Sequence, residues 1–212
     1  NVFGGGELPY LSNILHDGIF NNKNLANIDN NKLNNLLKII QGQYDSKISK
    51  IDSSDKMFID KAPLNFKYVG FIKKIFPNSK IINCNRDPID ICWSNYKNFF
   101  SGTLPFSNNL NDLASFYALY QNYIKFWKEL FPNEMYDVVY EKLVENPKEE
   151  IENLLNFCDL RFEENCLKHE NNPKSIKTAS WVQARKPIYK SAIKSSDYFK
   201  PYLGELIEKI KN

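Results

Sequence analysis

Short apolar runs alternate along this chain with stretches of helical period, and each run stops on polar or charged residues. Met57-Phe58-Ile59-Asp60 reads as a short strand, broken by Lys61-Ala62-Pro63 before the helical spacing of Phe66, Val69, Gly70, Ile72 and Ile75. Pro77-Asn78 stops that helix. Lys80-Ile81-Ile82-Asn83-Cys84 then reads as a buried strand, and Arg86-Asp87-Pro88 opens a helix through Ile91, Trp93 and Tyr96. Leu110 to Leu130 places Leu113, Phe116, Tyr117, Tyr120, Tyr123, Ile124 and Trp127 on one broad face, so a long helix with a core-facing aromatic side is expected. Tyr136 to Tyr140 is the next strand, and Asn146-Pro147 caps a helix through Ile151, Leu154, Leu155 and Phe157. Asp29 to Lys50 predicts an amphipathic surface helix after an Asn-rich loop, and a last helix falls near Tyr202 to Ile210. Strands alternating with helices predict an α/β fold with a mainly parallel sheet covered on both faces, three layers α/β/α. Ligands in such sheets sit at the carboxyl ends of the strands.

The size, 212 residues with 42% hydrophobic and 14% aromatic content, suits a single domain over residues 1–212. A formal net charge of only +3 gives no global field for nucleic acid, so any anion site must be built from a few placed residues. Cys84, Cys92, Cys158 and Cys166 form no CxxC pair, which favours a reducing compartment. His16 and His169 alone cannot furnish a histidine-rich metal centre or leave much room for a Ser/His triad; no metal site is expected. No run has the length of a membrane span, and residues 1 to 20 lack a basic-then-apolar leader. The chain opens on Asn1 and Val2-Phe3-Gly4-Gly5-Gly6-Glu7, like the middle of a protein. A cytoplasmic location is therefore the expectation for a bacterial source, whereas a eukaryotic source would leave room for a Golgi anchor upstream.

Asp60-Lys61, Arg86-Asp87 and Tyr140-Glu141 end three strands and should converge on one rim of the sheet. Arg86 at its strand end and Ser94, about two turns into the following helix, could reach one phosphate over that helix start. The plainer alternative is an Arg86–Asp87 or Arg86–Glu surface pair beside an ordinary helical serine.

Asp60-Lys61-Ala62-Pro63-Leu64-Asn65-Phe66, then Phe76-Pro77-Asn78-Ser79-Lys80-Ile81-Ile82, then Arg86-Asp87-Pro88 with Ser94, then Tyr140-Glu141-Lys142-Leu143 before Asn146-Pro147 resemble, in order and spacing, the sulfotransferase family. The likeness runs from Gly4 to about Tyr202 and is nearest to the bacterial tetratricopeptide-type and protein-tyrosine sulfotransferase branch. It implies a P-loop-NTPase-like fold and the donor PAPS, 3′-phosphoadenosine-5′-phosphosulfate, with no metal. Carried over, Arg86 and Ser94 would bind the donor's 3′-phosphate. Tyr140 would lie against the adenine, or be a core-edge tyrosine. Glu7 falls at the family's general base, or caps a helix before Pro9. Lys61 would offset charge on the transferred group, or be a plain strand-end lysine. The tail Thr178 to Pro187 resembles the family's closing segment, with Ser180 its best ligand. Lys194 would stand in for a basic residue that relatives keep where this chain has Ser195-Ser196.

The family's first strand and its Pro-x-Ser-Gly-Thr type phosphosulfate loop are absent from this sequence, so impaired turnover is expected. The implied reaction is sulfuryl transfer to an acceptor hydroxyl or amine on a peptide, sugar or small alcohol. The second reading is a degenerate, non-enzymatic domain that binds adenosine 3′,5′-bisphosphate (PAP) or a protein partner. A kinase would need a lysine-bearing phosphate loop, and Gly4-Gly5-Gly6 has neither the lysine nor the strand-to-helix setting. A homodimer would cover core surface left open beside the first strand.

Overall fold

Among the described residues, two parallel strand pairs, each with its own helices, carry the fold. The structure, a computed structural model, describes residues 2–21, 28–52, 57–98, 100, 104–171 and 185–211. They form two compact units, Asn1–Ser79 and Lys80–Asn212.

In the first unit, β1 (Val2–Gly6) lies parallel to β2 (Met57–Asp60). Three consecutive glycines carry no strand propensity, so β1 is absent from the sequence-based expectation. It forms because Phe3 stacks on Phe58 across the pair, ring centroids 5.8 Å apart, and because β2 supplies hydrogen-bonding partners. The register runs Val2↔Met57, Phe3↔Phe58 and Gly4↔Ile59, then shifts so that Gly6 meets Asp60 and Gly5 is left over as a bulge. A Cβ on Gly5 would stand 2.3 Å from Phe58 Cζ and 3.1 Å from the Ile59 carbonyl oxygen, and Gly6 has φ of +81°. Glycine is needed at both places, for close approach at the first and for backbone hand at the second.

Helix α1 (Tyr10–Leu15) runs into a π-helical turn, His16–Phe20, and α2 (Asn30–Ile48) is capped by Asp29, whose carboxylate accepts the Lys32 N–H at 2.8 Å. Pro63 opens a 3₁₀ turn, Pro63–Tyr68, so the helical spacing seen from Phe66 becomes a true α-helix, α3 (Val69–Ile75), only after it. Leu11, Ile14, Leu15, Ile19, Leu37 and Ile40 form the core with Tyr68 and Ile75. Each such fully buried aliphatic contributes about 1.5–3 kcal/mol.

In the second unit, β3 (Ile81–Asn85) pairs in parallel with β4 (Met135–Val139), in register from Ile81↔Met135 to Asn85↔Val139. Asn83 and Asp137 face each other in that register, and the Asn83 Nδ2 donates to Asp137 Oδ1 at 2.8 Å. The Tyr120 hydroxyl donates to Asn83 Oδ1 at 2.7 Å, and Lys128 pairs with Asp137, so the polar residues inside the strand pair have partners. Helix α4 (Pro88–Tyr96) starts on Asp87, whose carboxylate accepts the N–H groups of Ile89 and Asp90 at 3.0 and 2.9 Å. Helix α5 (Leu110–Leu130) starts on Asn109 in the same way.

The expected strand Tyr136 to Tyr140 lies one residue earlier, and Tyr140 instead opens α6 (Tyr140–Glu145). Asn146 makes no side-chain cap to α7 (Pro147–Phe157); Pro147, preset for the first helical position, starts that helix. The closing α8 (Gly204–Lys211) brings Leu203 and Leu206 into a core with Cys92, Leu113 and Ala114. The aromatic side of α5 is only half-buried. Tyr117 and Tyr120, with Asn85, Gln121, Lys125 and Lys128, line an open cleft of about 490 Å³. Among the described residues no helix is long and apolar enough to cross a membrane.

Gly5→Ala is expected to lower stability by about 1–3 kcal/mol, because the new methyl group must displace the Phe58 ring. Urea unfolding read through a spectroscopic probe of the first unit checks this; an unchanged midpoint would mean that the strand pair spreads without cost.

Candidate functional site

Parallel register decides which side chains meet at the strand ends. In the first unit Gly6 is paired with Asp60, so the next residues, Glu7 and Lys61, emerge side by side. The Lys61 N–H donates to the Gly6 carbonyl at 3.0 Å, and the two side chains form an ion pair, each about half exposed. Helix α1 begins behind Pro9, which makes no side-chain cap bond, and the Glu7 carboxylate is engaged by Lys61. Lys61 is likewise no isolated strand-end lysine.

Asp60, the last residue of β2, precedes Lys61 in the chain. Its Oδ2 accepts the Tyr44 hydroxyl of α2 at 2.8 Å. Burial pushes the Asp60 carboxyl above the usual aspartate range, opposed by hydrogen bonds from Tyr44 and the Leu8 backbone. The same burial, with the neighbouring Asp60, raises the Tyr44 hydroxyl.

In the second unit the register pairs Asn85 with Val139, which sets Arg86 beside Tyr140. The Arg86 guanidinium carbon lies 5.2 Å from the centre of the Tyr140 ring. One guanidinium nitrogen donates to the Ala192 carbonyl and, at 3.2 Å, to Ser195 Oγ, and it lies 3.4 Å from Asp90 Oδ2. The Nε of Arg86 is buried and has no hydrogen-bond partner among the described residues. The Tyr140 hydroxyl donates to the Tyr189 carbonyl at 3.4 Å; burial raises its pKa, helped by Tyr189 and opposed by the Arg86 charge.

This is not the surface pair that the sequence left open. The Arg86 side chain is 18% exposed and its acidic partner is Asp90, 1% exposed, whereas Asp87 caps α4 and Glu141 accepts the Asp87 N–H at 2.9 Å. Ser94 stands in the second turn of α4, half-buried, with its carbonyl accepting the Asn98 Nδ2 at 2.7 Å. Lys194 has an exposed side chain and a left-handed backbone, φ +57°, and its backbone helps hold the Asp90 carboxyl below the usual range. Ser180 lies outside the described residues.

The second unit therefore gathers Arg86, Tyr140, Asp90 and Ser195, and the first unit, taken by itself, pairs Glu7 with Lys61. The i,i+4 spacing of Arg86 and Asp90 is the signal that would have found the buried acid. No group of three or more metal-ligating side chains gathers among the described residues. Burial pushes the Cys92 thiol up to about 12, aided by Asp87, which leaves it a packing group.

A model of the family described as "Sulfotransferase family" matches residues 14–164. A protein of Aquifex aeolicus (strain VF5), described as uncharacterized, is 36% identical over 176 residues, which cover 82% of this chain and 23% of that protein. A putative protein-tyrosine sulfotransferase of Caenorhabditis briggsae is 29% identical over 116 residues, 52% of this chain and 39% of that protein. The chain thus spans well under half the length of the curated relatives it matches.

Two solved structures share the fold. The sulfotransferase domain from the Synechococcus PCC 7002 olefin synthase superposes with a TM-score of 0.62 at 18% identity, covering 95% of this chain and 73% of that one. The sulfotransferase domain from the curacin biosynthetic pathway gives 0.55 at 17% identity, covering 88% and 71%. The expected α/β sulfotransferase fold with parallel strands is the fold found.

Asp60 and Asp90 should affect stability with opposite signs as pH changes. Burial raises the Asp60 carboxyl, so its contribution is fullest below the ordinary aspartate pKa of about 3.9 and is lost as pH rises through its folded value. For Asp90, burial is outweighed by the Ser196 hydroxyl and N–H, the Arg86 charge and the Lys194 backbone, and its carboxyl sits below the usual range. Its contribution is present above about pH 4 and is lost as pH falls through its folded value. Asp90→Asn should therefore cost most stability at neutral pH, and Asp60→Asn most at acid pH. Urea midpoints of both variants between about pH 3 and pH 7 check the contrast, and parallel profiles would remove it.

Proposed function

Because the chain belongs to the sulfotransferase family, whose model spans residues 14–164, we propose that it belongs to an enzyme that transfers a sulfuryl group from PAPS to an acceptor hydroxyl or amine. The observation that carries this is Arg86: a guanidinium at a strand end, lying on the Tyr140 ring, with a buried Nε that no described group of the protein satisfies. A buried donor without a partner costs about 1–3 kcal/mol, and a phosphate oxygen would satisfy it with a charge-assisted bond. The residues present fit the 3′-phosphoadenosine end of the donor. Arg86 and Ser94 would hold its 3′-phosphate, Tyr140 would pack on the adenine, and Ser180 and Lys194 would add contacts to the same end.

When bound, PAPS supplies a sulfuryl group on an activated phosphate–sulfate anhydride. Glu7 would take the acceptor's proton on a carboxylate oxygen as the new O–S bond forms. The adenosine bisphosphate would carry away the electron pair of the sulfur–oxygen bond that is given up. The Lys61 ammonium would offset charge on the sulfuryl and bridging oxygens. Its resting contact with Glu7 keeps both charges neutralised until then. The Caenorhabditis relatives, described as putative protein-tyrosine sulfotransferases, make a tyrosyl peptide the first acceptor to test, with a sugar and a small alcohol beside it.

Calorimetric titration with adenosine 3′,5′-bisphosphate tests the donor site. Binding should weaken on the order of 100-fold in Arg86→Ala, equivalent to losing a charge-assisted bond of roughly 2–3 kcal/mol, while adenosine 5′-monophosphate binding changes little. Equal binding of the two nucleotides would sink the assignment of Arg86. For the transfer step, Glu7→Gln should cut sulfuryl transfer by about 10²–10⁴-fold with bisphosphate affinity intact. Bisphosphate binding without transfer to any acceptor class would instead assign a nucleotide-binding role without catalysis.

A further inference from the structure

Asp90 is a carboxylate with no exposed surface, a state that costs several kcal/mol unless its charge is paired and hydrogen-bonded. Its partners come from two places. One is Arg86, a single helical turn away, 3.4 Å from Oδ2, an ion pair that leaves Oδ2 without a hydrogen-bond partner among the described residues. The other is a stretch more than a hundred residues on: the Ser196 N–H donates to Oδ1 at 2.8 Å, Ser195 Oγ approaches the same oxygen at 3.5 Å, and the Lys194 backbone helps hold the carboxyl below the usual range. Lys194 has φ of +57°, a left-handed conformation that a lysine adopts at a cost of roughly 1–2 kcal/mol. Beside that residue the Ser195 N–H turns back to the Ala192 carbonyl, which leaves the Ser196 N–H to meet the carboxylate.

The same stretch returns to Arg86. Its guanidinium donates to the Ala192 carbonyl and to Ser195 Oγ, and Tyr140 donates to the Tyr189 carbonyl. Asp90 thus holds both the guanidinium and the turns that pack against it.

We infer that Asp90 is the positioning residue of the Arg86 site: it aims the guanidinium and docks residues 192–196 so that a phosphate meets donors already in place. This rests on the reading of Arg86 as a phosphate-binding group. Preorganisation of this kind removes the ordering cost that binding would otherwise carry. The opposite effect is also physically available, since a carboxylate this close to Arg86 weakens its attraction for an anion. The two effects predict opposite results, which makes the role testable.

The experiment combines amide hydrogen exchange with calorimetry on the chain, Asp90→Ala and Asp90→Asn. The asparagine keeps an oxygen for the Ser196 N–H but turns an N–H₂ group toward Arg86. Exchange at residues 194–196 without ligand should accelerate at least tenfold in Asp90→Ala and stay near the parent rate in Asp90→Asn. Adenosine 3′,5′-bisphosphate should bind at least tenfold more weakly to both, with adenosine 5′-monophosphate affinity within about threefold of the parent, a loss of discrimination that mere destabilisation of a folded protein does not produce. If Asp90→Ala does not fold, Asp90→Asn alone decides. Unchanged or tighter bisphosphate binding by the variants, with the parent binding normally, overturns the positioning role alone. A parent chain that ignores the bisphosphate overturns the donor reading and the positioning role with it, even where the exchange result shows the tie to be real.

Discussion

In a parallel strand pair, the residues that follow two matched ends leave the ladder together, and both halves of the candidate chemistry depend on this. Gly6 matched to Asp60 delivers Glu7 beside Lys61, and Asn85 matched to Val139 delivers Arg86 beside Tyr140. A slip of one residue in either pair would turn every following side chain to the other face. The bulge at Gly5 corrects the register of the first pair just before its end, and the Phe3–Phe58 stack and the methyl-free Gly5 secure that correction.

Behind each pair stands a second layer of polar residues, withdrawn from solvent, that determines direction. Tyr44 holds Asp60, which sits directly before Lys61 in the chain, and Asp90 holds Arg86. In the second unit the Tyr120–Asn83–Asp137–Lys128 chain crosses the strand pair itself, so the ladder is locked by side-chain bonds as well as by backbone. Such networks are favourable only when each member is satisfied, which places strong demands on the spacing of helices α4 and α5 relative to β3 and β4.

The sequence reveals the parts of this arrangement that depend on pattern. Lys61, Arg86 and Tyr140 are visible because apolar runs end next to them, and the start of α2 at Asp29 and the proline starts at Pro88 and Pro147 are visible from local pattern and chemistry. Strand β1 is not visible, since its glycines are selected for what they leave out. Asp90 escapes because Asp87 is the nearer acid; only the helix start, which consumes Asp87 as a cap, hands Arg86 to the residue four further on. The turns at 191–196 have no periodicity at all, and they contribute through the Ala192 carbonyl, the Ser196 N–H and the Ser195 hydroxyl, none of which a pattern of apolar residues announces.

The separation of Asp90 from Ser196 along the chain has a consequence for the order in which the second unit folds. Helix α4 can form early from its own cap and proline, yet it carries an acid that cannot be buried until the turns near residue 196 have docked. The hydrophobic seal over the same helix, Leu203 and Leu206 against Cys92, is drawn from still later in the chain. During synthesis, α4 must wait, half-wetted and open to wrong partners, for the last part of the unit to leave the ribosome. Its closure is then a single long-range event in which charge and apolar surface leave water together.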